Sequence, residues 1–249
     1  MKSIEFIGAP GAGKSYYKKK LENFLLKKKL ITYSHSEIFY KYFCLSKKLN
    51  FLRYLKFKIK ENLINSDSFL INFLNFHYDK IFKFDEDIEE INNYKTNKLF
   101  IKSYFKNLKT DNDLQTLKLK KWLNIETAAI HLSKKIYEKK KILINSEGIL
   151  QRLIRVILNC NNFTSKKLLK KICYNEFESD IIVFVNTSPQ ISKNRIKKRS
   201  ENRFKKEEIE KFYNKSKLIY NFSRKKKFTI NKNLNQNKIF QKIYENLTH

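Results

Sequence analysis

Ser3-Ile4-Glu5-Phe6-Ile7-Gly8-Ala9-Pro10-Gly11-Ala12-Gly13-Lys14-Ser15 is the stretch on which the fold turns. Residues 3–7 form a short, mainly apolar run of strand length, rich in β-branched and aromatic side chains. The next eight residues match G-x-x-x-x-G-K-[ST] in full. Residues 16–29 then place Leu21, Phe24, Leu25 and Lys28 at helical spacing. A strand, a glycine-rich turn and a helix therefore follow one another directly. The chain has only four glycines and two prolines in 249 residues, and Gly8, Gly11, Gly13 and Pro10 all lie in this turn. In a chain that otherwise avoids both residue types, such a concentration marks a place where the backbone geometry demands them.

The chemistry suited to this turn is polyphosphate binding. Backbone N–H groups have to converge on the phosphate oxygens, so side chains must be absent where the loop wraps them. The following helix points the positive end of its dipole at the same anion. Lys14 is placed to reach the β- and γ-phosphates, and the Ser15 hydroxyl to ligate Mg²⁺. The expected ATP-binding residues are Gly8, Ala9, Pro10, Gly11, Ala12, Gly13, Lys14, Ser15 and Tyr16.

Outward from this loop, residues 30–34 read as a second short strand. From about 37 to 135 no strand is evident. Phe, Leu and Ile recur there at spacings of three to four among Lys and Asn, as in Phe69, Leu70, Phe73 and Leu74, which predicts helix. These aromatic and aliphatic residues are expected to form the core of a helical subdomain. Strand and helix alternate again afterwards: strands at 141–145, 180–186 and 228–231, helices at 149–158, 190–200, 206–223 and 235–247. Such alternation predicts a parallel sheet covered on both faces.

The fourth glycine, Gly148, follows the strand at 141–145 within Asn145-Ser146-Glu147-Gly148. Glu147 is the only acid at that strand end and is the expected partner of Ser15 in holding Mg²⁺. A cap for the helix starting at Ile149 would be the alternative role. Gly148 is expected to let the chain turn tightly there. Arg152, on the first turns of that helix, is a candidate for an acceptor's phosphate or carboxylate, and Arg155 lies three residues further on. Arg195, Arg199 and Arg203, spaced by four, share one face if their helix continues. Arginines on such a segment can stabilise the charge of a phosphoryl group in transfer. Lys14, Arg199 and Arg203 are the expected catalytic residues.

Composition narrows the class. A 41% hydrophobic content in 249 residues supplies a sizeable core, and no apolar run has the length of a membrane span. With the first strand so close to Met1, no secretory signal and a cytoplasmic location are expected. Cys44, Cys160 and Cys173 are too few and scattered for a disulfide framework or zinc site, and His35, His77, His131 and His249 have no metal-ligand spacing. The net charge of +30 has two readings. It suits a polyanionic partner, such as nucleic acid or an anionic membrane surface. It also suits A/T-rich coding, since Lys outnumbers Arg 47 to 7 and there are 27 Asn, whereas base-reading surfaces favour the bidentate fork of Arg.

On these motifs the chain resembles the nucleoside/nucleotide-kinase-like branch of P-loop kinases, the thymidylate and adenylate kinase type, over about residues 1–40 and 125–249. The resemblance implies an α/β P-loop NTPase fold with a five-stranded parallel sheet in the order 2-3-1-4-5 flanked by helices. It implies that Arg199 and Arg203 are lid arginines and that residues 231–235 lie near the adenine. The stretch from Trp122 through Glu147 to Arg152 is also similar to small P-loop kinases with a strand-Asp-Glu-Gly-x-x-x-Arg signature, with Ser146 standing where they often have Asp. Residues 45–120 resemble no named family. The expected organisation is a kinase core of residues 1–44 and 136–249, with 45–135 an all-helical insertion that binds the acceptor.

The expected function is transfer of the γ-phosphoryl group of ATP, with Mg²⁺, to a small-molecule acceptor such as a nucleoside, nucleotide or sugar. Two alternatives stay open. One is a polynucleotide kinase or other nucleic-acid-directed NTPase that uses the basic insertion to track phosphates. The other is a non-catalytic switch that binds the triphosphate without turning it over.

Overall fold

A computed structural model describes residues 2–33, 38, 128, 130, 141–146, 148–158, 179–198 and 204–248. The expected insertion at 45–135 lies almost wholly outside them, as do Glu147, Arg199 and Arg203.

Five strands form one parallel sheet: β1 (Lys2–Ile7), β2 (Ile31–Tyr33), β3 (Lys141–Asn145), β4 (Ile181–Val185) and β5 (Lys226–Ile230). Their spatial order is β2-β3-β1-β4-β5, and all four pairings are parallel. This is the order that the kinase resemblance implies. The helices are α1 (Lys14–Lys27), α2 (Ile149–Leu158), α3 (Pro189–Lys197), α4 (Lys206–Phe222) and α5 (Gln236–Thr248).

The burial pattern follows from the two-residue period of a strand. Ile4 and Phe6 of β1, Ile142 and Ile144 of β3, and Ile181, Val183 and Val185 of β4 share one core. Tyr17, Leu21 and Leu25 of α1 and Phe240 and Ile243 of α5 complete it. Phe24 and Phe240 pack across these two helices with ring centroids 5.8 Å apart. The alternate residues Glu5, Ile7, Leu143, Asn145, Ile182 and Phe184 therefore face the other side, where α2 and α4 lie. Phe184 packs there against Tyr213 and Tyr220 of α4, at 5.9 and 5.4 Å between centroids. A strand covered on both faces has no solvent side, which is why β4 reads Ile-Ile-Val-Phe-Val with every residue buried.

Several boundaries differ from the sequence expectation for local reasons. Helix α1 begins at Lys14 rather than Tyr16, because Gly13 takes φ 101° as its N-cap and the helix starts immediately after it. Helix α3 begins at Pro189, a favoured first helical position, with the Ser188 hydroxyl accepting the Ile191 N–H at 3.4 Å. Strand β5 begins two residues early, at Lys226, because an edge strand tolerates exposed lysines.

Parallel pairing puts the C-terminal ends of all five strands on one edge. The loop 8–13, Ser146 and Gly148, residues 186–188 and residues 231–235 all leave from that edge. Ligands of open α/β sheets bind at this edge.

Candidate active site

The glycine-rich loop 8–13 departs from β1, the central strand. Gly8, Gly11 and Gly13 have φ of 151°, 75° and 101°, conformations costly for residues with a Cβ. At Gly11 space is a second constraint: a Cβ there would stand 2.5 Å from the Ser192 carbonyl oxygen and 2.9 Å from the Ile196 side chain. Helix α3 thus lies directly against the outer wall of the loop, using Ser192, Arg195 and Ile196, which share one helical face.

Two donors converge on one loop carbonyl. The Thr187 hydroxyl donates to the Ala12 oxygen at 2.9 Å, and the Arg195 guanidinium donates to the same oxygen at 2.8 Å. Across a trans peptide, C=O and N–H point in opposite directions. Anchoring the Ala12 carbonyl toward α3 therefore turns the Gly13 N–H away from α3. Arg195 also brings a full positive charge beside Gly13, with its Nη1 3.2 Å from where a Gly13 Cβ would be.

Lys14 is buried, and its ammonium donates to the carbonyls of Gly8 and Ala9 at 3.1 Å each. The Ala12 N–H closes the turn on the same Ala9 carbonyl at 3.1 Å. The cation is thereby held across the loop it belongs to. Ser15 and Tyr16, in the first turn of α1, are exposed. Tyr16 packs edge-on against Tyr17 at 5.2 Å between centroids, and the Lys20 ammonium lies 4.7 Å from the Tyr16 ring.

On the other side of the loop lies a feature that sequence reasoning missed. Helix α2 begins at Ile149, so Gly148 occupies its N-cap position and has no side chain to offer the first-turn amides. Glu5, fully buried on β1, supplies that acceptor: its Oε1 accepts the Gln151 N–H at 2.8 Å. A Cβ on Gly148 would stand 2.6 Å from the Glu5 carboxyl carbon. The glycine at 148 makes room for Glu5. The side chain of Gln151, also buried, completes the connection by accepting the Gly8 N–H at 3.1 Å.

Among the expected site residues, the loop is joined to the start of α2 through the Gly8–Gln151 bond. Arg152 is buried in the first turn of α2, its N–H donating to the Gly148 carbonyl at 3.1 Å. Arg155 is half-buried one turn on. Arg195 joins the loop. Glu147, Arg199 and Arg203 lie outside the described residues, and helix α3 is described to Lys197 with its C-cap at Lys198. The segment 231–235 is built by asparagines. Asn231 Oδ1 accepts the N–H groups of Asn233 and Leu234 at 3.1 and 2.9 Å, and Asn235 Oδ1 that of Lys238 at 3.3 Å.

One missed residue had a signal in the sequence: Glu5 is an acid in the middle of a strand that must be buried on both faces. Gln151 and Thr187 had none, since a glutamine on a helix and a threonine after a strand are ordinary.

Groups that fit this loop can be tested against its atoms. Glycines crowded on their outer side, anchored peptides and a buried lysine across the turn fit a nucleoside triphosphate. For Mg²⁺, the described residues contribute the exposed Ser15 hydroxyl at the helix start. Among the described residues, no helix is long and apolar enough to cross a membrane.

No family model matches this sequence, and no match is found among curated proteins. Several solved structures are similar. A deoxyadenosine kinase from M. mycoides with bound dATP is 16% identical with TM-score 0.47, covering 100% of both chains. The same enzyme with bound dCTP gives 16% and 0.45, covering 99% of this chain and 98% of that one. A shikimate kinase from Acinetobacter baumannii in complex with shikimate is 11% identical with TM-score 0.40, covering 100% of this chain and 93% of that one. The described residues form a five-stranded parallel sheet in the order 2-3-1-4-5 with the glycine-rich loop leaving its central strand, the arrangement that the P-loop kinase resemblance implies.

Proposed function

We propose that this chain is an ATP-dependent phosphotransferase that moves the γ-phosphoryl group to a small-molecule acceptor. The observation that carries this reading is the position of Lys14, bonded to the Gly8 and Ala9 carbonyls at 3.1 Å inside a loop clamped through Ala12. A cation so placed follows a phosphate chain laid along the loop and stabilises charge on the group in transfer.

When bound, ATP with Mg²⁺ supplies the phosphoryl group and part of the neutralising charge. The chain's own residues do the rest. Backbone N–H groups of Gly11, Gly13 and the start of α1 bind and orient the phosphates. Ser15 and Glu147 are the proposed metal-holding residues, and Tyr16 borders the nucleotide. Arg195 keeps the loop in shape from α3. Arg199 and Arg203, four and eight residues beyond it, are proposed to reach the transferred group. Arg152 is proposed to hold an anionic group of the acceptor, with residues 45–135 forming the acceptor's side of the cleft.

The test is phosphoryl transfer from labelled ATP to a panel of nucleosides, nucleotides, sugars and short oligonucleotides. Transfer to one small-molecule class is expected. Transfer to oligonucleotide 5′ ends alone would overturn the small-acceptor reading, and ATP binding without transfer to any member would overturn the transferase.

A further inference from the structure

We propose that Gln151 is a positioning residue that joins the N-terminus of α2 to the phosphate loop, so that the start of α2 and the loop behave as one body. This deepens the phosphotransferase reading and rests on it for its consequence in catalysis.

Three segments meet at this side chain. Its backbone N–H is capped by Glu5 of β1 at 2.8 Å, and its Oε1 accepts the Gly8 N–H at 3.1 Å. The partners are 146 and 143 positions away along the chain. Gly8 is buried, so its N–H needs an acceptor inside the protein. The opposite end of the same residue, the Gly8 carbonyl, accepts the Lys14 ammonium at 3.1 Å. A line of contacts therefore runs from Glu5 through Gln151 and Gly8 to Lys14. The start of α2 is thereby tied to the lysine through side-chain hydrogen bonds. Glu5 contributes doubly, since a carboxylate at a helix N-terminus also meets the positive end of the helix dipole.

The two side chains offer a controlled exchange. In the double variant Glu5→Gln with Gln151→Glu, each position keeps a carbonyl-type oxygen, and the charge of the pair is unchanged. Gln151→Leu keeps the bulk but removes the acceptor. Gln151→Asn, one methylene shorter, withdraws the oxygen from Gly8 and serves if the leucine variant does not fold.

The experiment measures amide hydrogen exchange of segments 8–15 and 146–152 in the full chain, together with affinity for the fluorescent nucleotide MANT-ATP in Mg²⁺. Gln151→Leu or Gln151→Asn is expected to speed exchange in both segments by about tenfold, as expected for one lost buried hydrogen bond, while β4 stays protected. MANT-ATP affinity falls by about the same factor, and the double exchange returns both readings to within about threefold of the parent. A lowered melting temperature with unchanged exchange in 8–15 would show that Gln151 only fills space. A double exchange that behaves like the leucine variant would equally overturn the proposal. If the parent chain fails to bind MANT-ATP, the phosphotransferase reading falls, and the exchange measurement still decides whether Gln151 joins the two segments.

Discussion

Gly11 and Ser192 approach so closely that any Cβ on Gly11 would lie 2.5 Å from the Ser192 carbonyl oxygen. The atom in the way is backbone, in a helix whose start is set by Pro189 and the Ser188 cap, so it cannot rotate aside. The φ of 75° adds a second obstacle, worth about 1–2 kcal/mol for a residue with a Cβ. Gly11→Ala is therefore expected to push α3 off the loop. It should lower stability by about 2 kcal/mol or more and weaken ATP binding by at least about tenfold. Thermal melting and nucleotide titration check both. A fully stable alanine variant with unchanged affinity would contradict the packing described.

Lys14→Ala separates folding from chemistry. The lysine donates to the Gly8 and Ala9 carbonyls, which belong to the loop and not to the sheet. Phosphoryl transfer is expected to fall by about a thousandfold or more, with the cooperative melting transition retained. Steady-state turnover measured beside circular dichroism decides the matter, and unchanged turnover would remove the phosphotransferase reading.

Thr187 and Arg195 share the Ala12 carbonyl as acceptor. Residues that hold one group together do not act independently. Thr187→Val and Arg195→Ala are each expected to weaken ATP binding by about 1 kcal/mol, and the double variant by clearly less or more than their sum. A double-mutant cycle on nucleotide affinity measures the difference. Strict additivity would mean that the two donors do not cooperate in shaping the loop.

Gly148→Ala places a methyl group against the Glu5 carboxyl, 2.6 Å from its Cδ. Relief requires Glu5 to move and give up its bond to the Gln151 N–H. A loss of about 1–3 kcal/mol of stability is expected, the range for disturbing a buried hydrogen-bonded group. In a Glu5→Ala background, which opens that space, the same substitution should cost much less. Chemical denaturation of the four proteins tests this, and an undiminished penalty in the Glu5→Ala background would show that a different contact requires the glycine.

The parts of this molecule legible in the sequence are those whose physical cause is local. The eight residues from Gly8 to Ser15 identify themselves because wrapping phosphate with backbone amides constrains consecutive residues. The strands at 141–145 and 181–185 do so because burial on both faces leaves apolar runs, Ile142–Ile144 and Ile181–Val185. Exposed ends were less legible, as with Lys226 and Lys227 in β5, where an edge strand carries a polar sequence. Only the tertiary structure decided what holds the loop in shape. The strand order β3-β1-β4 places the chain leaving β3 on one side of the loop and the chain leaving β4 on the other. Gln151 acts from the first side, capped by Glu5 of β1, and Thr187 and Arg195 act from the second. Their partners are more than 140 residues away along the chain, and no periodicity or spacing carries a contact over that distance. The glycine at 148 shows the division most clearly. Its rarity marked it as necessary in the sequence, but the reason, a buried carboxylate arriving from β1, exists only once the sheet has formed.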